Sequence, residues 1–556
     1  MRRYKIILFI LPLLFLAFAQ VVSADEVGDK RFFYINSGYD YAEREKLSAV
    51  LVKSTGKLYF YIDENWWNLA NQQKERENLN LLGNEFEGKI SPMLSSVLGR
   101  EWSPGIDDDV KITILMHPMK KEAGGYFRSN DEYEKIQISD SNEREILYLN
   151  ADYLDDQSLT KSFLAHEFVH LITFNEKTKK RGVEEETWLD EARAEYASTM
   201  LGYDDEYRGS VLEKRVQYFL EKPNGSLTEW NNTKYDYGRI SLFTHYLVDH
   251  YGINILRDSL GSSETGIGSI NYALQKNGFK KTFSDIFEDW LIAVLINDCN
   301  YGPTYCYLDK NLKNVYLNPV INFLPVIGNS TLTMSDSAKI WSGNWYKIIG
   351  GGGGSLEFIF NGQSTSFFKV PYIAKTQSGG YIVKFMDIGK SQQGAINLEN
   401  FGKDIVALFV IPYIQADKNN VYSYPFSWSA SIKRAQNDAD EIKRLLAIID
   451  DLKKKIADIL AQRGQDGGQI FCKINSNLYF GMSDNSEVRC LQAFLKAQGT
   501  DIYPEGLVTG NFGSLTRQAV IKFQQKYTSE ILAPAGLMAG TGFVGERTRA
   551  KISQLQ

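Results

Sequence analysis

Hydrophobic and polar positions change period several times along the 556 residues, and each change predicts an element. Between residues 25 and 155, strand-like and helical stretches alternate. Val110-Lys-Ile-Thr-Ile-Leu-Met116 and Glu145-Ile-Leu-Tyr-Leu-Asn150 read as strands, with the glycine-rich Ala123-Gly-Gly-Tyr-Phe127 between them. From Ser162 the period becomes helical: Leu164, Phe168, Leu171 and Ile172 form an apolar stripe, and His166 and His170 lie one turn apart on the other side. A second helix follows from Thr187, and its Ala192, Ala194 and Ala197 allow close packing on the first. Ile240, Leu242, Tyr246 and Leu247 give a further helical face that Gly252 stops.

Beyond residue 326 the runs shorten. Trp345–Ile349, Leu356–Phe360 and Ile405–Ile411, separated by Gly, Asn and Ser, predict an antiparallel β-sandwich. Gly350–Gly354 joins two of these strands and lacks the Lys-Ser/Thr of a phosphate loop, so nucleotide binding is set aside. From Lys433 to Arg463, Ile442, Leu445, Ile449, Leu452, Ile456 and Ile459 alternate by three and four, the seam of a coiled coil and a possible homo-oligomer contact. A helix folded back on its own chain has the same pattern. Gly464, Gly467 and Gly468 then open a linker.

The chain begins with basic Met1-Arg-Arg-Tyr-Lys5, apolar Ile6 to Ala19 and small-residue Val22-Ser-Ala24, the three parts of a secretory signal peptide. Its removal takes Arg2, Arg3 and Lys5 and moves the net charge from −6 to −9. An acidic exported chain has no electrostatic case for nucleic acid. The four cysteines form two close pairs, Cys299 with Cys306 and Cys472 with Cys490, each read as a local disulfide.

His166-Glu167-Phe-Val-His170 spells HExxH. Two imidazoles on one helical face can share a zinc ion, and Glu167 is placed as general base beside the metal's water. A catalytic zinc needs a third protein ligand. Glu191, with 20 residues intervening after His170, is the choice, and the Glu184, Glu185, Glu186 run is the alternative, though such a run more often marks a solvated loop. Glu195, one turn after Glu191, can hold a ligand histidine from behind. His245 and His250 have helical spacing unsuited to one shared face and read as structural, and His117 is unassigned.

These residues, with Trp188-Leu-Asp-Glu191-Ala-Arg-Ala-Glu195-Tyr, resemble the gluzincin metallopeptidases over about residues 100 to 260. The resemblance implies His166, His170 and Glu191 as zinc ligands, Glu167 as base and a small sheet whose edge strand pairs with an extended substrate. Gly124 and Gly125 would let that backbone approach, or form an ordinary turn. In the aminopeptidase branch a tyrosine three residues before a glycine donates to the oxyanion; Tyr235, before Gly238, matches, with Tyr237 as runner-up. The Gly-Ala-Met-Glu-Asn motif of that branch is absent, which points to endopeptidase action.

The last segment repeats itself. Gly510, Gly513 and Thr516 recur at an offset of 32 as Gly542, Gly545 and Thr548, each read as a turn leading into a helix capped by the threonine. This segment closely resembles the peptidoglycan-binding domain of bacterial wall hydrolases, a three-helix module. The expected architecture is multidomain: signal peptide 1–24, an α+β zincin-like domain 25–325, a β-sandwich 326–432, a coiled-coil helix and linker 433–465, and the peptidoglycan-binding domain 466–556. The expected activity is zinc-dependent hydrolysis of protein or peptide substrates at the bacterial wall. The alternatives are a catalytically silent wall adhesin or scaffold, and a peptidase of peptidoglycan stem peptides.

Overall fold

The computed structural model describes residues 25–416, 422–434, 445–456 and 473–556. The expected signal peptide, Cys472, and the seam positions Ile442 and Ile459 lie outside the described residues. Among the described residues no helix is long and apolar enough to cross a membrane. The chain divides into two units, residues 1–438 and 439–556.

The first unit begins with a six-stranded sheet: β1 (Lys30–Tyr34), β2 (Lys46–Ser54), β3 (Leu58–Asp63), β4 (Ile112–His117), β5 (Gly125–Phe127) and β6 (Ile146–Asn150), in the order β1-β2-β3-β4-β6-β5. β3, β4 and β6 run parallel, and β5 pairs antiparallel with β6 at the edge. The expected strands are present, and part of the glycine-rich stretch between them has become β5. Alternation sorts the side chains: Leu58, Phe60 and Ile62 join the core on one face, while Tyr59 and Tyr61 join Tyr126 and Tyr148 in an aromatic layer on the other.

Helices α1 (Glu64–Leu69), α2 (Gln72–Glu85) and α3 (Ser91–Leu98) lie between β3 and β4, and α4 (Gln157–Thr173) and α5 (Thr187–Met200) follow β6. Asp156 caps α4 by accepting from the Leu159 amide. α4 is buried nearly all round rather than along one stripe, since Ala165 and Val169 are as inaccessible as Leu164, Phe168, Leu171 and Ile172. Ala192, Ala194 and Ala197 are buried, as their size suggested. Then come α6 (Val211–Glu221), α7 (Lys234–Tyr251), α8 (Asn254–Leu260), α9 (Gly266–Lys276) and α10 (Phe283–Ile296). A capping box between Thr233 and Asp236 starts α7.

Among the described residues of 320–433, Phe368–Lys369 pairs separately with Tyr413–Ile414, and nine further strands form one hydrogen-bonded sheet. Its two halves meet at a single parallel pair, Phe401 with Ile405. Trp428, Phe358, Phe426, Phe360 and Tyr346 pack between them, so the sandwich expectation holds in its physical sense. The boundary expected at 325 is not a boundary in packing. Trp345 donates its indole N–H to Leu291 O at 2.9 Å, and Phe283 and Phe287 of α10 meet Trp341 edge to face at 5.0 and 5.3 Å. Cys299 and Cys306 are disulfide-bonded, as expected.

In the second unit a helix spans residues 445–456 and exposes Leu445, Ile449, Leu452 and Ile456. Three further helices, Ser486–Ala497, Ser514–Lys526 and Glu546–Leu555, enclose Leu491, Leu495, Val520, Phe523 and Ile552. The repeat at 32 is structural. Gln492 Oε1 accepts from Thr509 N and Gly510 N, and its amide donates to Asn511 O and Thr516 Oγ1. Gln524 does the same with Thr541 N, Gly542 N, Phe543 O and Thr548 Oγ1. The threonines therefore do not cap their helices: Gly513 and Gly545 occupy the cap positions, and the buried hydroxyls answer the glutamines instead. Cys490 is disulfide-bonded.

Glu132 and Glu145 are buried against each other with Lys179 the nearest compensating charge, and burial raises both carboxyls, Glu145 to about 7. The native state thus holds protons that the unfolded chain has lost, and stability falls as pH rises from the ordinary carboxylate range through about 7. Thermal unfolding should show a loss on the order of 1–3 kcal/mol or more between pH 5 and pH 8, and Glu132→Gln, which removes one of the raised carboxyls, should make it shallower. An equal slope in that variant would mean another group is responsible.

Candidate metal centre

His166 and His170 project from α4 with their Nε2 atoms 3.2 Å apart. Glu191 Oε2, from α5, lies 3.2 Å from His166 Nε2 and 3.8 Å from His170 Nε2. These three side chains are the one group among the described residues arranged to hold a metal ion. Both Nδ1 atoms are held from behind. His166 Nδ1 lies 3.3 Å from Glu195 Oε1, and His170 Nδ1 donates to Asp190 Oδ2 at 2.8 Å. Sequence reasoning named Glu195 for such a role and missed Asp190, whose only signal was its place beside Glu191.

Charge dominates the site. Glu167, Asp190, Glu191 and Glu195 crowd around two imidazoles, and α6 adds Arg215, which donates to Glu195 through Nε at 2.6 Å and Nη2 at 2.9 Å. Burial alone would raise Glu195, but Arg215 and His166 outweigh it and hold it down at about 2. Burial disfavours a charged His170, yet Asp190 lifts it to about 9; His166 is raised likewise, by Glu191 and Glu195. The crowded carboxylates thus favour positive charge between the two rings, which a divalent cation can supply. Glu191 Oε2 is buried and makes no well-aligned hydrogen bond, its near neighbours being the two Nε2 atoms, as suits a ligand atom. Two neutral Nε2 donors, a carboxylate oxygen and partners behind both rings fit zinc.

Glu167 is buried beside the cluster, and burial raises its carboxyl to about 7. The two edge glycines have a role other than the expected one. A Cβ on Gly125 would fall 2.7 Å from Tyr148 O and 3.0 Å from Glu167 Oε1, and one on Gly124 would fall 2.5 Å from the Phe163 ring. They let α4 approach β5 closely. The edge strand and the base are consequently neighbours.

Tyr235 does not reach the cluster. Its hydroxyl donates to Glu221 Oε1 at 2.9 Å at the surface. Two residues further round α7, Tyr237 faces the site: its ring lies 6.5 Å from that of His166 and 4.6 Å from the Arg215 guanidinium. Its hydroxyl donates to Asn232 Oδ1 at 3.4 Å. Burial, with Glu191 and Glu195 nearby, raises its pKa, so the phenol keeps its proton. Tyr39, unremarked in the sequence, bonds to Asn232 from the other side and stacks on Tyr126 at 4.7 Å.

Two of the alternative ligands are engaged elsewhere. Glu185 is buried in a network with Arg193 at 2.8 Å and Lys177 at 3.4 Å, and Glu186 accepts from the Trp188 indole at 2.7 Å. His245 bonds Ser241 O and Thr199 Oγ1, His250 bonds Cys306 O, and His117 lies between Asp40 and Tyr126, so all three are structural.

Residues 484–528 match the family of peptidoglycan binding domains. The C-terminal unit carries a peptidoglycan-binding domain. This domain supports association with the cell wall. No curated protein matches the chain. Among solved structures, it is similar to the pre-peptidase C-terminal domain of collagenase from Bacillus anthracis, at 9% identity over 20% of this chain and 96% of that one, TM-score 0.15. It is also similar to the lysozyme inhibitor PliG of Aeromonas hydrophila, at 14% identity over 21% of this chain and 100% of that one, TM-score 0.15. A third similarity is to the M60 catalytic domain with the CBM51-1 and CBM51-2 domains of Clostridium perfringens ZmpB, at 10% identity over 69% of this chain and 59% of that one, TM-score 0.23. Likenesses this distant carry no weight for the activity.

Gly125→Ala tests the close approach of β5 to α4. The methyl has no room against the Tyr148 carbonyl, and a loss of about 1–3 kcal/mol in chemical denaturation is expected, the usual range for overpacking. Wild-type stability in that variant would show that the two elements have slack between them.

Proposed function

We propose that the chain is an exported zinc-dependent endopeptidase held at the bacterial wall by its C-terminal domain. The observation that carries this reading is the convergence of His166 Nε2, His170 Nε2 and Glu191 Oε2 beside the buried carboxyl of Glu167. Zinc held by His166, His170 and Glu191 supplies Lewis acidity and an acidified water. Glu167 accepts the proton of the attacking water and passes it to the departing amine. Tyr237, protonated and facing the cluster, donates to the carbonyl oxygen as charge develops there. The extended substrate lies along β5, next to Glu167.

Self-association through the exposed apolar side of the 445–456 helix belongs to the same proposal, and sedimentation of the full chain at micromolar concentration checks it. A silent wall scaffold is the second reading. The intact set of ligands and base favours the enzyme over it.

Glu167→Gln should retain zinc while peptide turnover falls by about a hundredfold or more. Tyr237→Phe should lower turnover by a smaller factor, with little change in ground-state binding, and Tyr235→Phe should have no effect. Full activity of zinc-loaded Glu167→Gln would sink the mechanism; inactivity of the wild type on every peptide, amino-terminally blocked or free, would favour the scaffold.

Asp190→Asn should weaken zinc retention by about 10–100-fold in competition with a chelator, because the amide no longer fixes the His170 ring with a charge. Undiminished retention would show that Asp190 does not support the ligand.

A further inference from the structure

The two copies of the C-terminal repeat differ where they could meet a ligand. In the first, Tyr503 is buried and donates its hydroxyl to Leu507 O at 2.7 Å. Thirty-two residues on stands Ala535, which lines a cavity of about 270 Å³ together with Ile531, Leu532, Leu537, Thr541 and Phe543. An alanine in the tyrosine's place leaves an apolar hollow.

Arg547 lies on its rim, where the first copy has Leu515. Among the described residues Arg547 has no hydrogen-bond or ion-pair partner, although Arg549 and Lys551, close by, are both engaged. Phe543 is partly exposed and stacks on Tyr479 at 6.5 Å, presenting an aromatic ledge next to the hollow. Charge points the same way. Residues 473–556 carry nine Lys and Arg against six Asp and Glu, while the remainder of the chain carries 53 against 62. The wall-binding end is thus basic on an acidic protein.

We propose that this hollow in the second copy is the ligand site of the C-terminal domain, and that it takes the carboxylate-bearing peptide stem of peptidoglycan. A small aliphatic side chain, such as the methyl of an alanine, enters between Leu532, Ala535 and Leu537. The adjacent peptide carboxylate pairs with Arg547, and the sugar face rests on Phe543 and Tyr479. The inference deepens the wall-binding reading and is independent of the metal centre. The first copy, its hollow filled by Tyr503, serves as scaffold.

The test uses the full chain with N-acetylmuramoyl-L-alanyl-D-glutamate as probe, and an N-acetylglucosamine tetramer as the uncharged comparison. Titration calorimetry should show binding of the muramyl dipeptide, weakened at least tenfold by Arg547→Gln, with the tetramer binding more weakly than the dipeptide. Ala535→Tyr, which restores the first copy's residue, should abolish binding while leaving the unfolding midpoint near that of the wild type; Leu515→Gln in the first copy should bind as wild type does. Equal binding of tetramer and dipeptide, or wild-type affinity in both Arg547→Gln and Ala535→Tyr, would overturn the assignment. Pelleting with isolated walls separates the two levels: a wild type that pellets alongside equally retained variants refutes only this site, and a wild type that does not pellet refutes the wall reading as well.

Discussion

The first unit depends on one electrostatic constraint, the crowding of four carboxylates, two of them buried and two half-buried, around two imidazoles where α4 and α5 pack together. Such a concentration of charge is tolerable only if it is matched at close range. Arg215 matches part of it from α6, and the carboxylates favour positive charge at the histidines for another part. What remains is a demand for positive charge at the Nε2 atoms and Glu191 Oε2. The surrounding architecture serves this geometry: alanines on α5 bring the helices together, and glycines on β5 bring Glu167 against the sheet edge.

Residues separated by helical periods were the readable part of the site. His166 and His170 are tied by one turn of helix, and Glu191 and Glu195 by another, so local geometry places each pair with little help from the tertiary fold. The strands before α4 were readable because β4 and β6 are short, nearly continuous apolar runs, buried at every position. Asp190 and Arg215 were not, since a charged residue facing inward looks like a charged residue facing water until its partner is known. Glu185 shows the same failure reversed: it stands in a run of acids typical of a solvated loop, but Lys177 and Arg193 come from separate elements to bury it. Tyr235 and Tyr237 are two residues apart on α7, about 200° around the axis, so the helix can turn only one of them to the metal centre. An offset from a glycine does not carry that rotation.

In the second unit the repeat was legible as spacing, but its cause was not. The glycines and threonines are the visible ends of a buckle whose centre is a buried glutamine, an unremarkable residue in a polar helix. Each glutamine accepts from two amides of the following turn and donates to a carbonyl and a hydroxyl, satisfying its amide in the interior. A buried amide needs all of those partners at once, so the whole turn is repeated rather than one residue of it.

The packing of α10 against the second sheet bears on how the molecule can be divided. Trp345 and Trp341 reach into the helical region, and Phe283, Phe287 and Leu291 receive them. A fragment cut at the sequence boundary of residue 325 would turn this aromatic seam into exposed surface and lose the lid over α10. The smallest separable piece that carries the histidine pair therefore extends through Lys433, and the β-sandwich travels with it as part of the same folding unit.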